Sequence, residues 1–246
     1  MDRATILGLI LGFGGILLGN YFEGGHVASL VQGTAFIIVM TGTFGAVLVS
    51  NKSRDIRLGI KLFRQSFQEQ SLDYDAPIKE IVECARLAKK ESPLALENKL
   101  NQLQSPMLKD VLRNVIDGVD NKLTRQVFEN IIQKEEQRLI SAGKIWVDAG
   151  GFAPTIGIIG AVLGLIHVMG NLSDTSKLGT GIAVAFVATV YGVGFANLIF
   201  LPVGNKIKKN IQEVSKHKHM ILDGALMIGA DLNPHLIEQK LISYKS

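Results

Sequence analysis

Two apolar runs in the second half of the chain, residues 151–169 and 178–203, limit most strongly what this sequence can fold into. Neither run contains an acid, a lysine or an arginine. Because a helix needs roughly 20 apolar residues to cross a hydrocarbon core of about 30 Å, both are predicted to be transmembrane helices. Pro154 stands near the start of one run and Pro202 near the end of the other. An antiparallel pair would therefore bring both prolines to the same depth, on the same side of the membrane.

Residues 4–21 and 33–50 form two further apolar runs. The first could instead be a cleaved signal peptide, but only Arg3 precedes it and no convincing small-residue cleavage site comes before Tyr21. The positive mean hydropathy and the 26 glycines agree with a membrane protein, since membrane helices tolerate glycine and soluble surfaces are mostly polar. We therefore predict an all-α integral membrane protein with four transmembrane helices.

The lysines and arginines predict the orientation of these helices. Of the 26, 17 lie in residues 51–150 and seven lie after Val203, whereas the short turns 22–32 and 170–177 contain only Lys177. Positive residues favour the cytoplasmic side. We therefore expect a multi-pass protein with both termini, the segment 51–150 and the tail 204–246 in the cytoplasm.

The segment 51–150 is predicted to be a helical domain inserted between the second and third spans. Its apolar residues recur at helical spacing, and three prolines suit the first turns of helices, where a missing amide donor costs nothing. These are Pro77, Pro93 and Pro106. From Asn121 onward, a long helix rich in Glu, Lys and Gln is predicted to run through Trp146 into the third span.

No motif for catalysis, nucleotide binding or a metal is found in the sequence, so we expect no enzyme, no cofactor and no nucleic-acid partner. His217 and His219 are two apart on a predicted helix and do not share a face. The single cysteine, Cys84, excludes an internal disulfide.

The tail and the glycines predict two kinds of contact. A basic stretch at the start of the tail is interpreted as an anchor that meets anionic membrane lipid. It comprises Lys206, Lys208, Lys209, Lys216 and Lys218. Glycines three or four apart give the spans smooth faces, which serve either packing within the chain or contact with further copies, so we expect self-association.

The four spans contain no carboxylate, although ion carriers usually keep an ionisable group inside the bilayer. The polar groups at depth are the hydroxyls of Thr155, Thr189 and Tyr191. Thr189 could simply bond to the carbonyl of Ala185, a common habit of helical threonines. If this protein moves ions, the charged carrier must come from a partner helix, and these hydroxyls would line one wall of its path.

Three segments resemble the A subunit of flagellar motor stators, the MotA and PomA class. They are residues 85–97 (ARLAKKESPLALE), 152–169 (FAPTIGIIGAVLGLIHVM) and 183–202 (AVAFVATVYGVGFANLIFLP). The resemblance covers nearly the whole chain. It implies a bacterial inner-membrane protein in which five A subunits surround two B subunits, each B subunit supplying a membrane aspartate. Ion passage at that aspartate would turn the A ring, which pushes on the switch-ring protein of the rotor.

The resemblance also assigns roles to single residues. Pro154 and Pro202 match paired prolines that couple ion passage to movement, although each also suits an ordinary helix end. Thr189 matches a threonine that faces the ion site. Sodium-driven members tend to carry a threonine where this chain has Ala161, so protons are the expected ion and a sodium-driven stator is the alternative.

Lys89 and Glu97 match a basic and an acidic residue that face the rotor, and Lys90 is an adjacent candidate. From the sequence alone, these three residues would be interpreted as solvated surface charges. Lys89 stands where arginine is frequent, so a bidentate contact is not expected there.

Two other functions are compatible with parts of this pattern. An ExbB or TolQ type energiser of outer-membrane processes shares the last two spans, but has three spans and an outward N-terminus. A structural scaffold that conducts no ions would not explain the two prolines or the hydroxyl groups inside the membrane.

Overall fold

The computed structural model describes residues 2–68, 72–170 and 175–245. These residues form nine α-helices and, within the same ranges, no β-strand. The helices are α1 (Arg3–Phe22), α2 (Gly33–Ser50), α3 (Ser53–Ser66), α4 (Asp75–Lys90), α5 (Pro106–Ile116), α6 (Asn121–Met169), α7 (Thr175–Phe195), α8 (Leu201–Gly229) and α9 (Pro234–Ile242). The prediction of an all-α protein is confirmed.

Four helical stretches are long and apolar enough to cross a membrane, as predicted. They are Arg3–Phe22, Val27–Ser50, Asn121–Met169 and Gly181–Gly229. The predicted continuous helix through Trp146 is confirmed, since α6 runs for 49 residues without a break. Most of the predicted turn 170–177 lies outside the described residues.

A π-helical turn, Ala196–Phe200, joins α7 to α8 without interrupting the helix. Pro202 follows it directly, and a proline has no amide hydrogen to donate to the carbonyl four residues earlier, that of Leu198. A wider turn is one way in which a helix accommodates such a defect. The predicted tail, 204–246, therefore begins inside a helix and not at a loop.

The chain divides into two compact units, and the first comprises Met1–Glu69 with Leu139–Lys209. It contains α1, α2, α3, α7 and the second part of α6. Helices α6 and α7 approach so closely that a Cβ atom at Gly164 would lie 2.9 Å from the carbonyl oxygen of Gly181. Some of the predicted glycine stripes thus pack within the chain, as small residues do between membrane helices.

Helix α3 packs on α6 inside this unit. The indole Nε1 of Trp146 donates a hydrogen bond of 2.9 Å to the carbonyl of Gly59, and the rings of Trp146 and Phe63 lie 4.3 Å apart. A Cβ atom at Gly59 would fall 2.5 Å from the carbonyl oxygen of Ala142, so only glycine permits this approach.

The second unit joins Gln70–Arg138 with Asn210–Ser246. Its core combines side chains of the inserted helices, such as Ile81 and Leu112, with Met220 of α8. The sequence interpretation treated the insertion and the tail as separate segments, whereas they fold together. Apolar side chains of the tail, from α8 and α9, complete a core to which α4 and α5 also contribute.

Candidate functional site

Two of the residues singled out in the sequence meet at the contact between α6 and α7. A Cβ atom at Gly192 would lie 3.2 Å from the Cα of Pro154, and one at Gly157 would lie 3.4 Å from the Cα of Thr189. The backbones of α6 and α7 are therefore in direct contact at these residues. We call this contact of Pro154, Gly157, Thr189 and Gly192 the seam.

Thr189 is half-buried beside the seam, and its hydroxyl donates to the carbonyl of Ala185 at 3.4 Å. The sequence analysis considered this bond as the alternative role of Thr189. At that length the bond is weak, because hydroxyl donors usually approach within 3.0 Å. The oxygen of Thr189 also keeps lone pairs for a second partner.

Thr155 and Ala161 take different positions on α6. Ala161 follows Pro154 by seven residues, nearly two helical turns, and so lies on the same face of α6. Thr155 lies on the exposed face, and its hydroxyl donates to the carbonyl of Phe152 at 2.8 Å. The structure thus places Pro154 and Thr189 on facing helices of one seam, about one turn apart. It puts Ala161 on the face of Pro154 and turns Thr155 outward.

Pro202 does not lie at the level of Pro154. Pro154 of α6 lies against Gly192 of α7. Leu201, the residue before Pro202, lies against Gly150 of α6, which is about one helical turn before Pro154. The prediction of equal depth is therefore corrected to the same end of the helices with an offset. The π-helical turn lies between the two levels.

Pro202 lines a mostly apolar cavity of about 560 Å³. The other walls come from the first turns of α1, from the end of α3 and from the residues around the π-helical turn. They include Leu9, Phe63, Phe67 and Leu198. A cavity of this volume falls within the range of about 300–1,000 Å³ found for small-molecule sites.

An ion pair between Asp2 and Lys206 lies at the edge of this cavity. Lys206 also bonds to the hydroxyl of Thr5 at 2.6 Å, and the backbone amide of Asp2 donates to the carbonyl of Phe67 at 3.0 Å. The hydrogen bond from Lys206 lowers the pKa of Asp2 to about 2. Sequence analysis missed this cluster, although an aspartate directly before an apolar run is a signal for a helix N-cap.

Tyr191 does not face the seam. Its hydroxyl donates to the carbonyl of Leu30 at 2.6 Å and accepts from the amide of Gln32 at 3.2 Å. Both partners precede α2, so this tyrosine holds the start of the second span. Its role is the attachment of α2 to α7.

The outer faces of α6 and α7 expose large apolar side chains. On α6 they include Ile158, Ile159 and Val162, and on α7 they include Phe186 and Val190. Side chains of this kind need cover from lipid or from further protein.

The charged residues predicted to face the rotor lie in the second unit. Lys89 forms an ion pair of 2.8 Å with Asp231, whose backbone φ is 53°, and also donates to its carbonyl at 3.1 Å. Lys90 ends α4 and Glu97 lies in a 3₁₀ turn, Pro93–Asn98, and both are exposed. The partner of Lys89 was not foreseen, since it lies far away in the sequence.

These features define a class of protein. The described parts of the four spans contain no carboxylate beyond their edges, yet α6 and α7 form a seam with a hydroxyl and a proline beside uncovered apolar faces. Such a chain is a multi-pass membrane protein whose uncovered apolar faces need lipid or further protein around them.

Comparisons with known proteins identify the family. The profile of the "MotA/TolQ/ExbB proton channel family" matches residues 99–220. Motility protein A of Helicobacter pylori is 33% identical over 244 residues, 99% of this chain and 95% of that relative. Chemotaxis protein PomA of Vibrio alginolyticus is 28% identical over 99% of this chain and 95% of its own length.

Solved structures agree with this similarity. The structure of the flagellar MotAB stator complex from Bacillus subtilis matches with a TM-score of 0.87 and 31% identity, over 98% of this chain and 96% of that one. The structure of C. jejuni MotAB matches with a TM-score of 0.92 and 28% identity, over 100% and 96%. The chain belongs to the MotA/TolQ/ExbB proton channel family and is a flagellar stator subunit of the MotA type.

Proposed function

We propose that this chain forms, with a B subunit, a proton channel of the bacterial inner membrane that turns ion-motive force into torque on the flagellar rotor. The observation that carries the proposal is the seam: Pro154 and Thr189 both lie at the close contact of α6 and α7, in spans that contain no carboxylate of their own. The named MotAB complexes among similar structures support a B partner. Its membrane helix would supply the aspartate.

Protons are the proposed ion. Thr189 keeps acceptor capacity beside the seam and would line one wall of the path. Ala161, on the face of Pro154, offers no oxygen to replace the water shell of a sodium ion. A proton needs only the carboxylate of the partner, so the alternative of a sodium-driven stator is less well supported.

Five copies of this chain are proposed to surround the B subunits. The exposed apolar faces of α6 and α7 support such contacts, because they extend beyond what this chain covers by itself. Helix α1, in which no residue is buried, would meet lipid over much of its surface.

Movement at the seam is proposed to reach the rotor through the cytoplasmic helices. In this arrangement the cytoplasm contains both termini, residues 51–150 and the tail 204–246. Pro154 and Pro202 would permit bending of α6 and of the α7–α8 helix, while Lys89, Lys90 and Glu97 would contact the switch-ring protein. The exposure of Lys90 and Glu97 supports that role.

The proposal is tested by the swimming speed of a stator-deleted flagellated host that expresses this chain with its cognate B subunit. Speed is recorded across sodium concentrations at fixed pH, and again with a protonophore. We expect speed that is indifferent to sodium and abolished by the protonophore.

Speed that rises with sodium would refute the proton assignment and leave the stator function intact. An assembled complex that supports no motility under any condition would favour the ExbB and TolQ type of energiser. Ala161→Thr is a further variant, and a gain of sodium dependence in it would support the argument from Ala161.

A further inference from the structure

We infer that α3 binds the head groups of anionic phospholipids through a row of four cations on its outer face. The row consists of Arg54, Arg57, Lys61 and Arg64. The placement of the row on the cytoplasmic leaflet rests on the proposed orientation of the spans, whereas the lipid contact itself requires only that α3 borders the membrane.

Both ends of α3 are held at the ends of membrane spans. The helix begins at Ser53, three residues after α2 ends at Ser50. At its other end, the carbonyl of Phe67 accepts a hydrogen bond of 3.0 Å from the amide of Asp2, directly before α1. A helix of 14 residues is about 21 Å long, so α3 extends along the membrane surface from one span to the other.

The apolar side of α3 is already occupied. Gly59 and Phe63 contact Trp146 of α6, and Phe67 contributes to the cavity beside Pro202. The four cations are spaced three, four and three residues apart, which places them together on another face of the helix. All four are exposed. An amphipathic helix at a membrane surface with a basic polar face binds anionic lipid.

The cations of this row are available for an external partner. Within the part of the chain that the structure describes, Arg57, Lys61 and Arg64 form no ion pair, and Arg54 has only its neighbour Asp55 at 3.6 Å. Arg57, Lys61 and Arg64 also line a groove of about 380 Å³ with the amide-bearing Gln65 and Gln68. Guanidinium and amide donors that converge on one groove suit the oxygens of a phosphate.

The tail lysines, which the sequence predicted as the lipid anchor, are less available. Lys206 pairs with Asp2, and Lys218 pairs with Glu135 at 2.5 Å. Two of the five tail lysines are thus already paired within the chain, whereas three of the four cations on α3 form no ion pair among the described residues. Lys208 and Lys209 of the tail are exposed and serve as a matched comparison.

The test uses the intact complex of this chain with its B subunit, purified in detergent. Phosphatidylglycerol or phosphatidylcholine is titrated into it, and retained lipid is counted by native mass spectrometry. The variants are R57Q/K61Q on α3 and K208Q/K209Q on the tail, each of which removes two positive charges. Each complex is first shown to assemble by size-exclusion chromatography.

We expect the wild-type complex to retain phosphatidylglycerol in preference to phosphatidylcholine. Since each basic residue near an anionic surface contributes several-fold to binding, R57Q/K61Q should weaken retention roughly 10- to 30-fold, and K208Q/K209Q should change it less than about threefold.

Equal retention of both lipids by the wild-type complex would overturn the inference, and so would equal losses in the two variants. If R57Q/K61Q fails to assemble, R57Q and K61Q are measured singly, and losses no larger than that of K208Q/K209Q would overturn the inference. None of these measurements requires ion conduction, so their failure is distinguishable from a failure of the proposed stator mechanism.

Discussion

Gly192 of α7 lies directly against Pro154 of α6, at the level where α6 lacks a backbone donor. A Cβ atom at Gly192 would fall 3.2 Å from the Cα of Pro154 and 2.5 Å from the carbonyl oxygen of Ala153. The two backbones are in contact here, without a side chain between them. A bend at Pro154 must therefore displace α7 as well, which makes this pair of residues a direct mechanical connection between the two helices.

Gly192→Ala is expected to separate α6 from α7 at Pro154. Because the added methyl group meets a backbone carbonyl that cannot rotate away, the substitution should destabilise the packing of the two helices by about 1–3 kcal/mol. We expect swimming speed to fall several-fold while the complex still assembles. Gly194→Ala is the matched control, since no atom lies within 4 Å of its Cβ position. Equal speeds in the two variants would contradict a role for the close contact.

Thr189→Val should abolish proton conduction if the hydroxyl lines the path, while Thr189→Ser should retain most of it. Valine keeps the shape of threonine, and the lost bond to Ala185 is long and weak at 3.4 Å. Stability should therefore change by less than about 1 kcal/mol in either variant. Proton flux into vesicles that contain the complex distinguishes the two. Normal flux through Thr189→Val would show that the hydroxyl only bonds to its own helix.

Asp2→Asn should lower the melting temperature of the complex at neutral pH but not near pH 2. The pKa of Asp2 is lowered from 3.8 to about 2 by its bond to Lys206, so its contribution to stability is present above pH 4 and is lost as pH falls through 2. The difference in melting temperature between wild type and variant should therefore shrink between pH 4 and pH 2. A difference that stays constant down to pH 2 would mean that the ion pair is not its source.

Asp231→Asn should weaken the attachment of Lys89 without disturbing the fold, because it removes the charged partner and leaves the hydrogen bond to the backbone carbonyl. Asparagine tolerates the positive φ of 53° at this position, and an exposed ion pair contributes only about 0–1 kcal/mol. If Lys89 contacts the rotor, recruitment of fluorescent stators to motors should stay at or above the wild-type level in Asp231→Asn and fall in Lys89→Glu. A fall of equal size in both variants would indicate that the pair itself holds the rotor-facing surface.

Much of the fold could be predicted from hydropathy, because the bilayer requires long apolar helices whose backbone groups are satisfied internally. The four spans follow from that requirement, whereas the uninterrupted helix through Trp146 was predicted from the Glu, Lys and Gln residues that precede the third span. The pairing of Lys89 with Asp231 could not be predicted, since residues 142 positions apart meet only through tertiary packing.

The positions of the two prolines near the same end of the helices could be predicted from the sequence, but the offset between them could not. Equal depth requires the two prolines to face each other, whereas Pro154 lies against Gly192 and Pro202 follows Gly192 by ten residues. The π-helical turn Ala196–Phe200 between Gly192 and Pro202 was also not predicted. Nothing in the local residues except Pro202 signals a wider turn. The packing of the tail on the inserted helices was not predicted, because an apolar helix face shows that a helix is covered but not which distant segment covers it.

Helix α1 has no buried residue, and it touches the π-helical turn at Gly12 and α8 through Asp2. A newly made chain therefore enters the membrane with one helix that its own fold hardly restrains. Such a helix is accessible to the membrane proteases that remove unassembled subunits. The cellular abundance of this chain should consequently follow the supply of the copies and partners that cover it, so that its turnover measures the progress of stator assembly.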